Sequence, residues 1–201
     1  ADNGNDRIVV LDAQTLKQIS VFVEGEVSQP HDVAFDKIGR LLVADTGNSR
    51  IAIYERAREE WQLTGELHER IRRPEGVAVH ADGRVFATGS SSNNLVVYEG
   101  GQVVAERGGF SSPHDVEFDR TGMVWVADAN NDRMVELNDK LEITRILSGP
   151  PYNFRGPRYQ DWDEANRMYV ADKYSNSIKV IAPNGDLIQV IGGEKSGKGP
   201  N

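Results

Sequence analysis

The sequence predicts an all-β protein, a β-propeller of four-stranded antiparallel blades, and three observations predict it. A block recurs with its leading prolines at 30, 74, 113 and 157, spacings of 44, 39 and 44 residues. Each block carries short β-branched and aromatic runs separated by Gly- or Asn-bearing turns, the signature of strands and hairpins. No stretch sustains a 3.6-residue apolar period between caps, so the runs are strands and not helices. Four short strands per block of roughly 43 residues is the blade pattern, and a blade buries both faces only by stacking on its neighbours. Residues 1–201 read as one domain: a half blade at 1–27, blades at 28–70, 71–109, 110–149 and 150–193, and a connector at 194–201.

Each blade opens with a first strand at 30–36, 74–80, 113–119 or 157–163. A tight connection follows at 36–39, 81–83, 119–122 or 163–166, where Gly39, Gly83, Gly122 or Asn166 supplies the positive φ a short hairpin requires. Second strands are expected at 40–45, 84–87, 123–128 and 167–172, then a polar loop such as 45–50 or 128–133. Third strands follow at 51–54, 95–98, 134–137 and 178–181, and a variable fourth strand closes each unit, as at 102–105 and 187–191. The half blade adds two strands to four times four, eighteen in all. Asp2, Asp45, Asp128 and Asp172 recur in the polar loops with Arg7, Arg50 and Arg133. Repetition in nearly every blade marks them as scaffolding that satisfies backbone groups between strands.

Composition narrows the function classes. With no cysteine, the chain has no disulfide, no thiolate nucleophile and no Cys-ligated metal. A net charge of −8 argues against nucleic acid, which is bound through clustered Lys and Arg. The cluster Arg70, Arg72 and Arg73 is short and flanked by Glu66, Glu69 and Glu75, a solvated connector. No run reaches the ~18 apolar residues of a membrane helix. Residues 1–20 lack a basic start followed by an apolar core, and the chain does not open with Met; an export signal removed earlier would leave such a start, which tilts the expected location toward extracytoplasmic or secreted.

The pattern Pro-x-Gly/Asp-Val-Ala-Val-Asp, then Gly, Val-Ala-Asp and Asn-x-Arg-Ile resembles the NHL repeat, most closely at 30–54 and 113–137. Blade two departs at Thr88, Gly89 and Asn94, and blade four at Tyr159, Ser177 and Ile178. The resemblance implies a propeller, commonly of six blades. The four and a half blades here are then expected to be part of a larger ring, or one of two half rings that associate through open blade edges.

His31 and His114 occupy the same repeat position, directly after the leading Pro, where a propeller's innermost strand borders the central channel. Two imidazoles at that position are candidate zinc ligands, although catalytic zinc takes three protein ligands and water. They equally suit the strand start. The blade between them offers Glu75 there, and the blade after His114 offers Arg158, which would repel a cation. Asp32 and Asp115 follow the histidines as candidate ligands for a hard cation such as calcium, or as caps for turn amides. Residues 192–198 match most of a P-loop, but Gly199 and Pro200 replace the Ser/Thr and block the helix that phosphate binding needs, so the segment reads as a connector. His68 and His80 lie off the recurring position and read as surface residues.

The alternating Pro-His blades are similar to those of the peptidyl-α-hydroxyglycine α-amidating lyases. By that resemblance His31 and His114 are two of three zinc ligands, calcium sits on the axis, and Tyr174, in Asp172-Lys-Tyr-Ser-Asn-Ser177, is the catalytic tyrosine. Ser175 and Ile178 stand where those lyases carry Cys and Arg. Zinc-polarised oxygen and a tyrosinate base would cleave a carbinolamide. The leading expectation is a binding or sensing scaffold for a protein, peptide or small-molecule ligand at the propeller mouth. Its expected anchors are Tyr152, Phe154, Tyr159, Trp162 and Tyr174. A metal-dependent lyase is the alternative.

Overall fold

The computed structural model describes residues 1–58 and 60–193. The expected connector at 194–201, with most of the P-loop-like segment at 192–198, lies outside the described residues. Among the described residues the chain forms eighteen strands, in one two-stranded and four four-stranded antiparallel sheets. The fold is a β-propeller. The chain separates into two compact units, Ala1–Gly108 and Gly109–Asn201.

In the first unit, β1 (Ile8–Leu11) and β2 (Gln18–Phe22) form the half blade. The first full blade is β3 (Pro30–Phe35), β4 (Leu41–Asp45), β5 (Arg50–Ala57) and β6 (Glu60–Leu67). The second is β7 (Pro74–Val79), β8 (Val85–Gly89), β9 (Asn94–Glu99) and β10 (Gln102–Arg107). The other unit holds β11 (Pro113–Phe118), β12 (Val124–Asp128), β13 (Arg133–Leu137) and β14 (Ile143–Ser148). Its last blade is β15 (Pro157–Trp162), β16 (Met168–Asp172), β17 (Ser177–Ile181) and β18 (Leu187–Gly192).

The apolar strands form interblade cores. Leu42, Ala44 and Ile51 of the first full blade pack against Val77, Ala87, Val96 and Tyr98 of the second. Ile8, Val23 and Val27 of the half blade pack on Leu41, Val43 and Tyr54. Within the other unit, Trp125, Ala127, Met134 and Leu147 meet Phe154, Met168, Val170 and Ile181. β4, β8 and β12 run nearly continuously buried, because both faces of a middle strand meet neighbours.

The polar loops perform one task with three chemistries. In the first full blade, Asp45 is fully buried and accepts from Ser28 N–H (2.7 Å), Asn48 Nδ2 and Arg50 Nε (2.7 Å). Arg50 also donates to the Glu26 carbonyl at 3.1 Å, so the pair clamps the segment two and four residues before the leading Pro30. Asp128 and Arg133 repeat this on Ser111 N–H and the Gly109 carbonyl. In the last blade Ser177 stands at the Arg position, and Lys179 reaches back to Asp172 and to the Asn153 carbonyl (2.8 Å). In the second blade Gly89 replaces the Asp; Ser92 Oγ fills the vacated space and accepts from Arg72 N–H at 3.0 Å. Asn94 Nδ2 then donates to the Arg70 carbonyl at 2.8 Å. Both sequence departures are therefore compensated within their own blades.

Candidate ligand sites

The leading Pro of each blade pairs in register with the last residue of the second strand, and the register then slips. Pro74 faces Gly89 and Gly76 faces Thr88; Pro113 faces Asp128 and Asp115 faces Ala127. The same slip occurs after Pro30 and after Pro157. His31, Glu75, His114 and Arg158 are therefore bulge residues, and a bulge re-aims the side chain it carries. In the first unit, one ligand atom of His31 and one of Glu75 lie within 4.8 Å of each other. His31 Nδ1 sits 2.9 Å from Thr46 Oγ1 and 3.2 Å from the Gln29 carbonyl oxygen. In the other unit, His114 is buried and meets Tyr159 edge-on, ring centroids 4.8 Å apart.

Asp32 and Asp115 reach forward to the first strand of the next blade in their own units. Asp32 accepts from Val33 N–H (2.8 Å) and Val77 N–H (2.9 Å), and Asp115 accepts from Gln160 N–H (3.0 Å). The donors, Val77 and Gln160, each stand three residues after a leading Pro. Burial pushes the Asp32 carboxyl up to about 6, against the pull of its two backbone N–H donors. The amides these aspartates cap belong to strands, at Val33, Val77 and Gln160, and not to the turns expected.

Tyr174 lies on the short 3-10 turn Lys173–Ser175 between β16 and β17 and is 54% exposed. Its ring covers Gly156, where φ is +69° and a Cβ would meet the ring at 2.6 Å. Lys173 Nζ lies 5.1 Å from the ring centre. A cavity of about 550 Å³ opens beside it, lined by Tyr152, Asn153, Arg155, Tyr174, Ser177 and Lys179 among others. Ser177 Oγ is buried without a hydrogen-bond partner among the described residues.

The predicted aromatic anchors separate. Tyr152 reaches this cavity and donates its hydroxyl proton to the Gly185 carbonyl at 2.5 Å. Phe154 does not serve as an anchor. It is 3% exposed, stacked behind Tyr152 at 5.7 Å and capped by the Lys179 ammonium 4.7 Å from its ring, so it belongs to the core. Tyr159 packs on His114. Trp162 lines a different cavity, of about 330 Å³, with Trp125, Met123 and Asp119. Sequence reasoning missed Lys179, although it lies two residues past Ser177 and so on the same face of the strand. It also missed Ser92 and Arg155.

Repeated four-stranded sheets with buried interblade cores define a β-propeller, and comparison refines this. The NHL repeat family matches residues 27–54. No curated protein matches the chain. Among solved structures, a streptogramin B lyase aligns over 98% of this chain and 65% of its own, with TM-score 0.77 and 12% identity. Virginiamycin B lyase from Staphylococcus aureus aligns over 79% and 54%, with TM-score 0.64 and 16% identity. Kuenenia stuttgartiensis hydrazine synthase aligns over 81% and 49%, with TM-score 0.68 and 18% identity. The chain spans less than two thirds of the length of each, and the likeness is one of fold.

Proposed function

We propose that this propeller is a binding module that takes a protein segment, peptide or small molecule at the loop cavity of its last blade. The observation that carries the reading is the convergence of Tyr152, Tyr174 and Arg155 on one cavity of about 550 Å³, with Ser177 in its wall, whose buried hydroxyl has no hydrogen-bond partner among the described residues. That volume lies within the range of ligand pockets, about 300–1,000 Å³, and aromatic walls with a few polar groups are what such pockets use. Lys179 is neutralised by Asp172, leaving Arg155 as the wall's solvent-exposed cation and favouring ligands with an acceptor or carboxylate. A thermal-shift screen of peptides and small molecules tests it. A ligand at a hundredfold excess over its Kd stabilises by about 2.7 kcal/mol. The stabilisation should vanish in Tyr174→Ala and persist in Ile38→Ala, an exposed control. Hits that stabilise Tyr174→Ala equally would remove the cavity from consideration.

One observation favours a second reading, a metal-dependent lyase: the approach of His31 and Glu75 within the first unit. His31 Nδ1 lies 3.2 Å from both the Gln29 carbonyl oxygen and Asn3 Nδ2, so its role depends on the tautomer; the Nδ1–H form would put the lone pair on Nε2, as metal binding needs. His31 and Glu75 would supply two of the three protein ligands a catalytic divalent cation takes, and the cation would supply Lewis acidity to a lyase step. Two of the fold relatives are lyases by name. Metal analysis of the purified protein decides: zinc retained by the wild type and lost from His31→Ala and Glu75→Gln supports the reading, and a metal-free wild type after zinc loading ends it.

A further inference from the structure

The hairpin between first and second strands carries an aspartate whose outer oxygen is neutralised by an arginine at the start of the second strand. Asp36 takes Arg40 Nε at 2.6 Å, Asp82 takes Arg84 Nε at 2.8 Å, and Asp163 takes Arg167 Nε at 2.6 Å. In the third full blade the carboxylate remains as Asp119, but Met123 stands where the arginine belongs. Asp119 Oδ1 is occupied by its own turn, accepting from Thr121 N–H and Oγ1 and from Met123 N–H. Among the described residues Oδ2 accepts only from Trp125 Nε1, at 3.3 Å. The last blade shows that this contact does not replace the cation: Asp163 takes the equivalent Tyr169 hydroxyl at 3.2 Å and Arg167 as well.

The missing guanidinium coincides with a cavity. About 330 Å³ lies between these two sheets, with Asp119, Trp125, Trp162, Met123 and Met168 in its wall. The two indoles stand 6.3 Å apart, tilted by 50°. Neighbouring cations are committed elsewhere. Arg145 lines the same cavity, 5.7 Å from the Trp125 ring centre, but its charge is paired with buried Glu136 (3.3 Å), a second wall residue, and it donates to the Pro183 carbonyl (3.2 Å). Arg120 turns to the Asp163 carbonyl at 2.6 Å.

We infer that this cavity binds the guanidinium group of an arginine-type ligand, which replaces the arginine absent from the blade by pairing with Asp119 beside the Trp125 and Trp162 rings. A planar guanidinium satisfies both halves of the site, because it donates to a carboxylate while stacking on an indole face. The site is separate from the Tyr174 cavity and does not rest on the function proposed above.

The test titrates the full chain with free arginine, a Gly-Arg-Gly peptide, and citrulline, whose neutral ureido group has the same shape. Tryptophan fluorescence and calorimetry follow binding. Arginine and the peptide should give saturable changes and citrulline none; binding of the peptide alone would assign the guanidinium to a polypeptide partner. Met123→Arg returns the repeat's own cation to Asp119 and should weaken binding roughly tenfold or more, since the tethered group competes at high local concentration. It should melt no lower than the wild type, and Met123→Leu should bind normally. If Met123→Arg fails to fold, Asp119→Asn supplies the same comparison. Absence of saturable binding, equal binding of citrulline, or an unchanged affinity in the folded charge variant would each overturn the inference.

Discussion

Replacing Asp45 by alanine strips the acceptor from Ser28 N–H, Asn48 Nδ2 and Arg50 Nε in one step. The carboxylate is fully buried and Arg50 is 18% exposed, so the donors left behind are poorly hydrated. Breaking a buried ion pair from one side costs about 4 kcal/mol. The second blade holds the same backbone position with Ser92, which makes two neutral hydrogen bonds, to Arg72 N–H and Asn94 Oδ1. Ser92→Ala should therefore cost about 2 kcal/mol, at about 1 kcal/mol per bond. At roughly 3 °C per kcal/mol for a chain of this size, the melting temperature should fall by about 12 °C in Asp45→Ala and about 6 °C in Ser92→Ala. Both residues lie in the same compact unit, so scanning calorimetry compares them on one transition. Asp45→Asn, which keeps one acceptor and loses the charge, should fall between them. An Asp45→Ala shift no larger than that of Ser92→Ala would refute the claim that the loop clamp is electrostatic in the first blade and neutral in the second.

The second blade should also resist restoration of the repeat's usual residue. Gly89→Asp alone drives a Cβ to 2.0 Å from Ser92 Oγ and should lower the melting temperature, whereas the triple change Gly89→Asp, Ser92→Ala, Asn94→Arg should recover it. Gly156→Ala places a methyl against Tyr174 at a left-handed backbone position and should cost about 1–2 kcal/mol; ligands that depend on Tyr174 should then bind more weakly. Desolvation is the largest single effect and opposes ionisation of Asp82, but hydrogen bonds from Arg84 N–H, His80 and the Arg84 guanidinium together outweigh it and hold the carboxyl well below the usual range. Its stabilisation is complete above the ordinary value of 3.8 and is lost as pH falls through the lowered one. Urea midpoints for Asp82→Asn should accordingly lose less than those of the wild type below pH about 4; parallel curves would contradict this.

The strands were legible because β-branched and aromatic runs and Gly or Asn turns are local signals, and each second strand lies within two residues of its expected place. The bulge at His31, Glu75, His114 and Arg158 was not, since a bulge is a property of register against Asp45, Gly89, Asp128 and Asp172, many residues away. Position alone marked His31 and His114; whether the residue beside them chelates or caps depended on Val77 and Gln160, donors from the following blade. Phe154 was misplaced for a related reason. A loop aromatic reads as exposed, and only the stacking of Tyr152 and the folding back of Lys179 cover it. The departure at Met123 was not singled out in the sequence, because its meaning requires Asp119 and the cavity together.

The two kinds of polar connection described above have different reach. The clamp on the incoming segment ends on backbone groups at the block boundary: Asp45 and Arg50 hold Ser28 N–H and the Glu26 carbonyl, and Ser92 and Asn94 hold Arg72 N–H and the Arg70 carbonyl. The forward connection from Asp32 or Asp115 ends on a backbone amide, a donor every residue except proline provides. A copied block would thus arrive with its own fastening and present a generic socket to whatever came before it. Lengthening the array by tandem duplication would need no matched substitution in the neighbour, and individual blocks could drift in side-chain chemistry, as the second and last have, while keeping the joint.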